Sequence, residues 1–196
     1  FLQDNNPNPS IEWGIEKFKV GDPIIFNETK RFDQLLYNNL KGNIVDIKLL
    51  DNKIQFFVEI DLVINEMDIE GYDLDLIGKS SNNKSIVSFF VNKYKSNDYD
   101  DEVADNNIVP FQIAYAISIH KAQGLEYDSV KIVITEEVED VISHNIFYTA
   151  VTRAKKRLKI YWSPETEQKI IEEMKFKYNN EDAYVLANKY NLKMVK

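Results

Sequence analysis

Hydrophobic residues along the first half of this chain recur with a period of two, the mark of strands with one covered face. In the clearest run, Ile54, Phe56, Val58, Ile60, Leu62 and Ile64 alternate with Gln55, Phe57, Glu59, Asp61, Val63 and Asn65. Ile44 to Leu50 reads as the strand before it, and Asp51-Asn52 between the two is hairpin-turn chemistry. Phe18 to Phe26 combines a turn at Gly21-Asp-Pro23 with a short apolar strand, and Ile86 to Val91 predicts another after Ser81-Asn82-Asn83. Short strands punctuated by turn residues predict a small antiparallel β-barrel. Phe1 to Ile11, rich in Asn and Pro and without periodicity, reads as a mobile lead-in.

Farther on, Ile113, Tyr115, Ile117 and Ile119 alternate with Ala114, Ala116, Ser118 and His120, so a strand is predicted up to His120. Lys121 to Glu126 then supplies a cation, an amide, a glycine able to take positive φ and a carboxylate. Val130 to Ile134 resumes as a second apolar strand. A polar, glycine-bearing connection between two buried strands has the makeup of a site loop, although a lone glycine there is also ordinary turn chemistry. Asp140 to Ala154 carries Ile146, Phe147, Ala150, Val151 and Ala154 at helical spacing, with Ser143 as N-cap. Leu158 to Trp162 predicts a strand. Ser163-Pro-Glu then opens a helix with Ile170, Ile171 and Met174 as its buried stripe, and a further helix is predicted from Glu181 to Tyr190.

At 196 residues and 44% hydrophobic, the chain can fill one ordinary domain or two small ones. It has no Cys, which removes disulfides, thiolate metal sites and cysteine nucleophiles, and its two separated His make a zinc centre an unpromising reading. No metal site is expected. A net charge of -8 argues against a general nucleic-acid coat, so any site for a polyanion must be local. Arg153, Lys155, Lys156, Arg157 and Lys159 form one local basic cluster. Cations at a helix end account for Lys155 and Lys156 but less well for Arg153. The acidic stretches Glu66 to Asp75 and Asn97 to Asp105 read as solvated loops. No apolar run is long enough to span a bilayer and no basic-then-apolar leader is present, so no membrane partner and a cytoplasmic location are expected.

Two strings carry a resemblance. Ser118-Ile-His-Lys-Ala-Gln-Gly-Leu-Glu-Tyr127 resembles motif V of superfamily 1 helicases in its RecD-like and UvrD-like wording, and Asn145-Ile-Phe-Tyr-Thr-Ala-Val-Thr-Arg-Ala154 resembles their motif VI. The likeness is dense from Pro110 to Trp162. A weaker likeness to the small barrel region of RecD-like helicases covers Gly21-Asp-Pro23 and Tyr37 to Val45, where Asn38-Asn39-Leu40-Lys41 departs from the usual Asn-Gly-Asp or Asn-Gly-Glu.

The resemblance implies an α/β RecA-like C-terminal half-motor of the P-loop NTPase type, over residues 108–196, preceded by a small SH3-like antiparallel β-barrel over 18–107 and a lead-in over 1–17. It implies that Arg153 is catalytic, meeting charge on the γ-phosphate as a donor that cannot lose its proton. Gln123, Gly124 and Glu126 would line the nucleotide, with Glu126 near the ribose or the metal and water network. Ser118, His120 and Lys121 would touch single-stranded DNA through its backbone, although His120 also reads as an ordinary polar residue at a strand end. The implied cofactors are ATP and Mg2+, and the implied partners are single-stranded DNA and an N-terminal RecA-like domain of the same protein. The chain has no Gly-x-x-x-x-Gly-Lys-Ser/Thr loop, so it is expected to be inactive alone, a piece of a longer protein as its start at Phe1 also suggests. Two alternatives stay open: a binding module with relic helicase segments, and an RNA helicase of the same superfamily. Tyr115, Tyr148 and Trp162 read as packing residues rather than base-stacking platforms.

Overall fold

A computed structural model describes residues 2–27, 30–32, 35–93 and 106–176. The predicted helix Glu181 to Tyr190 and the acidic stretch Asn97 to Asp105 lie outside the described residues. The chain divides into two compact units, Phe1–Ile117 and Ser118–Lys196.

Among the described residues the first unit holds eight strands: β1 (Ser10–Trp13), β2 (Glu16–Lys19), β3 (Pro23–Phe26), β4 (Lys41–Leu49), β5 (Lys53–Ile60), β6 (Asp75–Lys79), β7 (Ser85–Asn92) and β8 (Phe111–Ile113). β1 and β2 form a separate hairpin. The other six make one antiparallel sheet in the order β6-β7-β5-β4-β3-β8, so β6 and β8 are its edges. The period-two pattern of β5 is met strictly, with Ile54, Phe56, Val58 and Ile60 all at 0% exposure. Their face packs against Phe18, Phe26, Phe89 and Phe111, whose rings meet Phe56 and one another largely edge to face, Phe56 and Phe111 at 5.0 Å. Each buried Phe is worth roughly 1.5 to 3 kcal/mol, so this cluster is the main cohesive element of the unit. Gly42 permits the close pairing of β4 with β5, since a Cβ there would stand 2.8 Å from the Glu59 carbonyl oxygen and from Val58 Cγ1. Bulges interrupt β4 between Ile44 and Asp46 and the β6 pairing between Leu76 and Gly78, and bulges of this kind increase local twist.

The structure departs from the expected organisation in four places here. Residues 1–17 are not a bare lead-in: they contain β1 and the start of β2, and the amides that gave the segment its loop-like composition are used as donors. Asn6 Nδ2 and Asn8 Nδ2 both donate to the Val20 carbonyl, at 3.0 and 2.8 Å. The boundary falls after Ile117 rather than after residue 107, because Phe111 is 2% exposed in the aromatic cluster and β8 pairs with β3. The strand expected to run to His120 ends at Ile113. Beyond it the Ala114 N–H still donates to the Pro23 carbonyl, and Tyr115 turns its hydroxyl onto Asp22 at 2.9 Å. β6 was not predicted; it emerges at the end of the acidic stretch Glu66 to Asp75, whose earlier residues are turns as expected.

The second unit contains β9 (Tyr127–Val133), a 3-10 helix (Glu136–Val141), α1 (His144–Val151), β10 (Ala154–Tyr161) and α2 (Pro164–Phe176). β9 and β10 pair in parallel, so the intervening helices form a crossover connection, the usual α/β solution. Ile132, Ile134, Ile142, Ala150 and Ile170 are the buried core, with Phe147 stacked on Trp162 at 5.8 Å. Ser143 caps α1 as expected, its Oγ accepting from the Ile146 N–H at 3.3 Å. Ser163 caps α2 by accepting from the Thr166 N–H at 3.1 Å. The predicted helix over 140–154 is shorter at both ends, and its last residue Ala154 instead starts β10. Of the stripe predicted on α2, Ile170 is 1% exposed but Ile171 is 38% exposed; Ile171 therefore lies off the buried face, and the Met174 side chain is outside the described residues. Among the described residues no helix is long and apolar enough to cross a membrane.

Candidate functional site at the junction of motifs V and VI

The polar stretch between Ser118 and Glu126 folds as a succession of turns rather than as the end of a strand. The Ser118 carbonyl accepts from the Ala122 N–H at 3.0 Å, His120 from Gln123 at 3.2 Å and Ala122 from Leu125 at 3.0 Å. Ser118 Oγ accepts from the Lys121 N–H at 3.4 Å, capping the first turn. Gly124 adopts φ +82 with open space where a Cβ would stand. A side chain would be strained there by backbone geometry, yet nothing crowds that side of the loop. Ser118, His120, Gln123, Gly124 and Glu126 are exposed, and Lys121 is half-exposed.

Arg153 lies just beyond α1 and joins the two motifs. Its Nε donates to the Thr149 carbonyl at 2.9 Å, Nη1 to the Leu125 carbonyl at 3.0 Å, and Nη2 to Thr152 Oγ1 at 3.1 Å. Its own carbonyl accepts from the Tyr127 N–H at 2.9 Å, the first rung joining β9 to β10. The guanidinium is half-buried and largely engaged by its own unit, with one N–H on each terminal nitrogen left over.

Glu126, the residue after Leu125, is ion-paired with Lys155 at 2.9 Å. That hydrogen bond and charge, with Arg153 adding a smaller attraction, lower the Glu126 carboxyl below its usual 4.5 and keep it anionic. Lys155 is raised reciprocally above 10.5. A bulge between Ala154 and Arg157 gives β10 an extra residue opposite Asp128, so that Lys155 reaches Glu126 while Lys156 reaches Asp128 at 2.9 Å. The helix-end explanation of Lys155 and Lys156 is therefore replaced: they are strand residues spent on carboxylates. Lys155 is the site residue that sequence reasoning missed, because nothing in a basic run tells which cation will face a given acid.

The tertiary structure thus brings Arg153, Leu125, Glu126 and Lys155 together. Gln123 and Gly124 sit in the same run of turns as Ser118, His120 and Lys121. Trp162 is a packing residue, as expected, Tyr115 is half-buried with its hydroxyl bonded to Asp22, and Tyr148 is 61% exposed with His144 stacked on it at 6.5 Å. Among the described residues, no group of three His, Asp or Glu side chains could hold a metal. The junction therefore presents a guanidinium with one N–H left over on each terminal nitrogen, a carboxylate kept ionised and an uncrowded glycine turn.

Comparison with known families matches residues 113–161 to the UvrD-like helicase C-terminal domain. An uncharacterised protein of Methanocaldococcus jannaschii is 39% identical over 80 residues, 41% of this chain and 6% of that protein. The RecBCD enzyme subunit RecD of Haemophilus influenzae is 40% identical over 60 residues, 31% of this chain and 9% of its own length. The ATP-dependent RecD2 DNA helicase of Deinococcus radiodurans is 38% identical over 56 residues, 29% of this chain and 8% of that protein. The chain thus matches only a small fraction of the length of each relative. Residues 113–161, which hold both strings and every residue of the junction, thus match the UvrD-like helicase C-terminal domain, and over short stretches the chain is similar to the RecD helicases.

Proposed function

We propose that this chain is the C-terminal portion of an ATP-dependent superfamily 1 DNA helicase and contributes the motif V and VI residues to ATP hydrolysis and movement along single-stranded DNA. Residues 118–196 are read as part of its RecA-like second motor domain, and the sheet of the first unit as its SH3-like barrel. The observation that carries the reading is the bond from Arg153 to the carbonyl of Leu125, the residue before Glu126, which ties the turns of residues 118–126 to the end of α1. ATP supplies the phosphoryl group and Mg2+ the neutralising charge when bound, held mainly by a first motor domain of the same protein. Arg153 would direct its remaining N–H groups at the γ-phosphate, where charge grows in the transition state. Glu126 would face the ribose or the metal-bound waters, Gly124 and Gln123 the phosphate side of the loop, and Ser118, His120 and Lys121 the strand backbone.

In the full-length protein, Arg153→Ala should lower ATP turnover by about 1,000-fold or more while strand affinity changes little, because the guanidinium meets its phosphate charge in the transition state. Near-normal turnover would reject the assignment. It would favour the second reading, a binding module with relic motifs, for which the observation is that the same guanidinium is tied to Leu125, Thr149 and Thr152 of its own unit.

A further inference from the structure

The outer face of the β9–β10 pair carries charge of one sign. Alternate strand residues point to opposite sides, and Val130, Ile132 and Ile134 with Ile160 and Trp162 pack into the unit's core. The other set, Ser129, Lys131 and Val133 on one strand and Arg157, Lys159 and Tyr161 on the next, is exposed throughout. The parallel register sets Arg157 beside Ser129, Lys159 beside Lys131 and Tyr161 beside Val133. No carboxylate belongs to these rows. Lys155 and Lys156, across the bulge, are each neutralised by an acid, whereas the Lys131 and Arg157 side chains make no ion pair or hydrogen bond to any described residue. Lys159 rests only over the ring of Tyr161, at 5.0 Å.

This arrangement is costly by itself. Like charges directly opposite on neighbouring strands repel, and Lys131 stands opposite Lys159. Parallel sheets are normally covered on both faces, yet here Val133 is 68% exposed and Tyr161 42%. Three unneutralised cations on one face of a chain with net charge -8 call for an anionic cover. Arg157 and Lys159 follow one another along a single strand and end at the ring of Tyr161, 42% exposed with the Lys159 ammonium over one face. A track of cations ending at a stacking surface matches the alternating phosphates and bases of a single strand better than it matches an acidic peptide, which has no use for the ring.

We infer that the β9–β10 face, through Lys131, Arg157, Lys159 and Tyr161, is a second binding track for single-stranded nucleic acid, separate from the motif V turns. The identity of the polyanion rests on the helicase reading above; the existence of the track does not depend on the role of Arg153. The test is fluorescence anisotropy of a labelled oligo(dT) with the 196-residue chain across a salt series, with circular dichroism confirming that each variant folds. The triple variant Lys131→Gln/Arg157→Gln/Lys159→Gln should bind more weakly, and its plot of log affinity against log salt should be shallower by about 2, at roughly 0.7 for each phosphate no longer neutralised. Tyr161→Leu should weaken binding without changing that slope, and Lys159→Arg should retain both. The triple variant should also melt no lower than the parent, since the Lys131–Lys159 repulsion is gone. Unchanged affinity and slope in the triple variant would overturn the inference. So would displacement of the oligonucleotide from this face by polyglutamate at matched charge, with Tyr161→Leu indistinguishable from the parent. Normal ATP turnover in Arg153→Ala would instead remove the motor reading and leave these binding results standing.

Discussion

The most demanding prediction concerns Asp22, a carboxylate at 0% exposure in the turn between β2 and β3. Its Oδ1 accepts from Asn6 Nδ2 and from the Tyr115 hydroxyl, both at 2.9 Å, and its Oδ2 accepts from Gln3 Nε2 at 2.5 Å and the Lys19 N–H at 2.9 Å. One side chain therefore ties the start of the chain, the β2–β3 turn and the segment after β8. Asp22→Asn keeps the shape but sets an NH2 group against two of those donors. The Lys19 N–H cannot turn round. Gln3 Nε2 also donates to the Lys17 carbonyl at 2.8 Å and Asn6 Nδ2 to the Val20 carbonyl at 3.0 Å, so neither amide can flip without losing a second bond. The Tyr115 hydroxyl can rotate to accept. Burial first, and the neighbouring Asp22 next, hold that phenol above its usual 10.0, so it stays a donor across the neutral range. At least one donor is thus left facing a donor and the surviving bonds lose their charge assistance, a cost of about 2 to 4 kcal/mol. Tyr115→Phe removes the hydroxyl's bond to Asp22 and should cost about 1 to 1.5 kcal/mol. Urea unfolding in a Trp162→Phe background, where Trp13 is the sole tryptophan, reports on this unit, and the double variant should cost less than the sum of the two. A loss below about 0.5 kcal/mol for Asp22→Asn, the range of an ordinary surface change, would refute the argument.

Two further outcomes are expected. Gly42→Ala should destabilise the first unit by about 1 to 3 kcal/mol by forcing β4 away from β5, and thermal unfolding checks it; a neutral result would mean that the 2.8 Å approaches relax freely. Because Glu126 is lowered and Lys155 raised, the stability of their pair is fully present between pH 4.5 and 10.5, fading as acid passes the lowered carboxyl value or base passes the raised amine value. In Lys155→Met the Glu126 midpoint, followed by carboxyl-carbon NMR, should climb toward 4.5; an unmoved midpoint would show that Lys155 does not hold it.

Local order was legible wherever one face of a regular element is buried. The alternation of Ile54, Phe56, Val58 and Ile60, the caps Ser143 and Ser163, and a strand through Val130, observed from Tyr127 to Val133 where Val130 to Ile134 was expected, follow from side-chain period and capping chemistry, which depend on neighbours along the chain. The wording of residues 118–127 and 145–154 also marked the candidate site before any fold was known, and the family match covers both strings. What only the tertiary structure decided were partnerships between distant residues. Ile113 to His120 alternates like a strand, but a strand needs a neighbour to bond, and after Ala114 the chain turns so that Tyr115 can reach Asp22. The amides of Gln3, Asn6 and Asn8 look like loop composition until the carboxylate and carbonyl that accept from them are in place. Among five clustered cations, a single bulge in β10 determines that Lys155 and Lys156 meet carboxylates while Arg157 and Lys159 face outward. Period and composition describe which way a side chain points along its own element, and electrostatic pairing depends on what another element brings within a few ångströms of it.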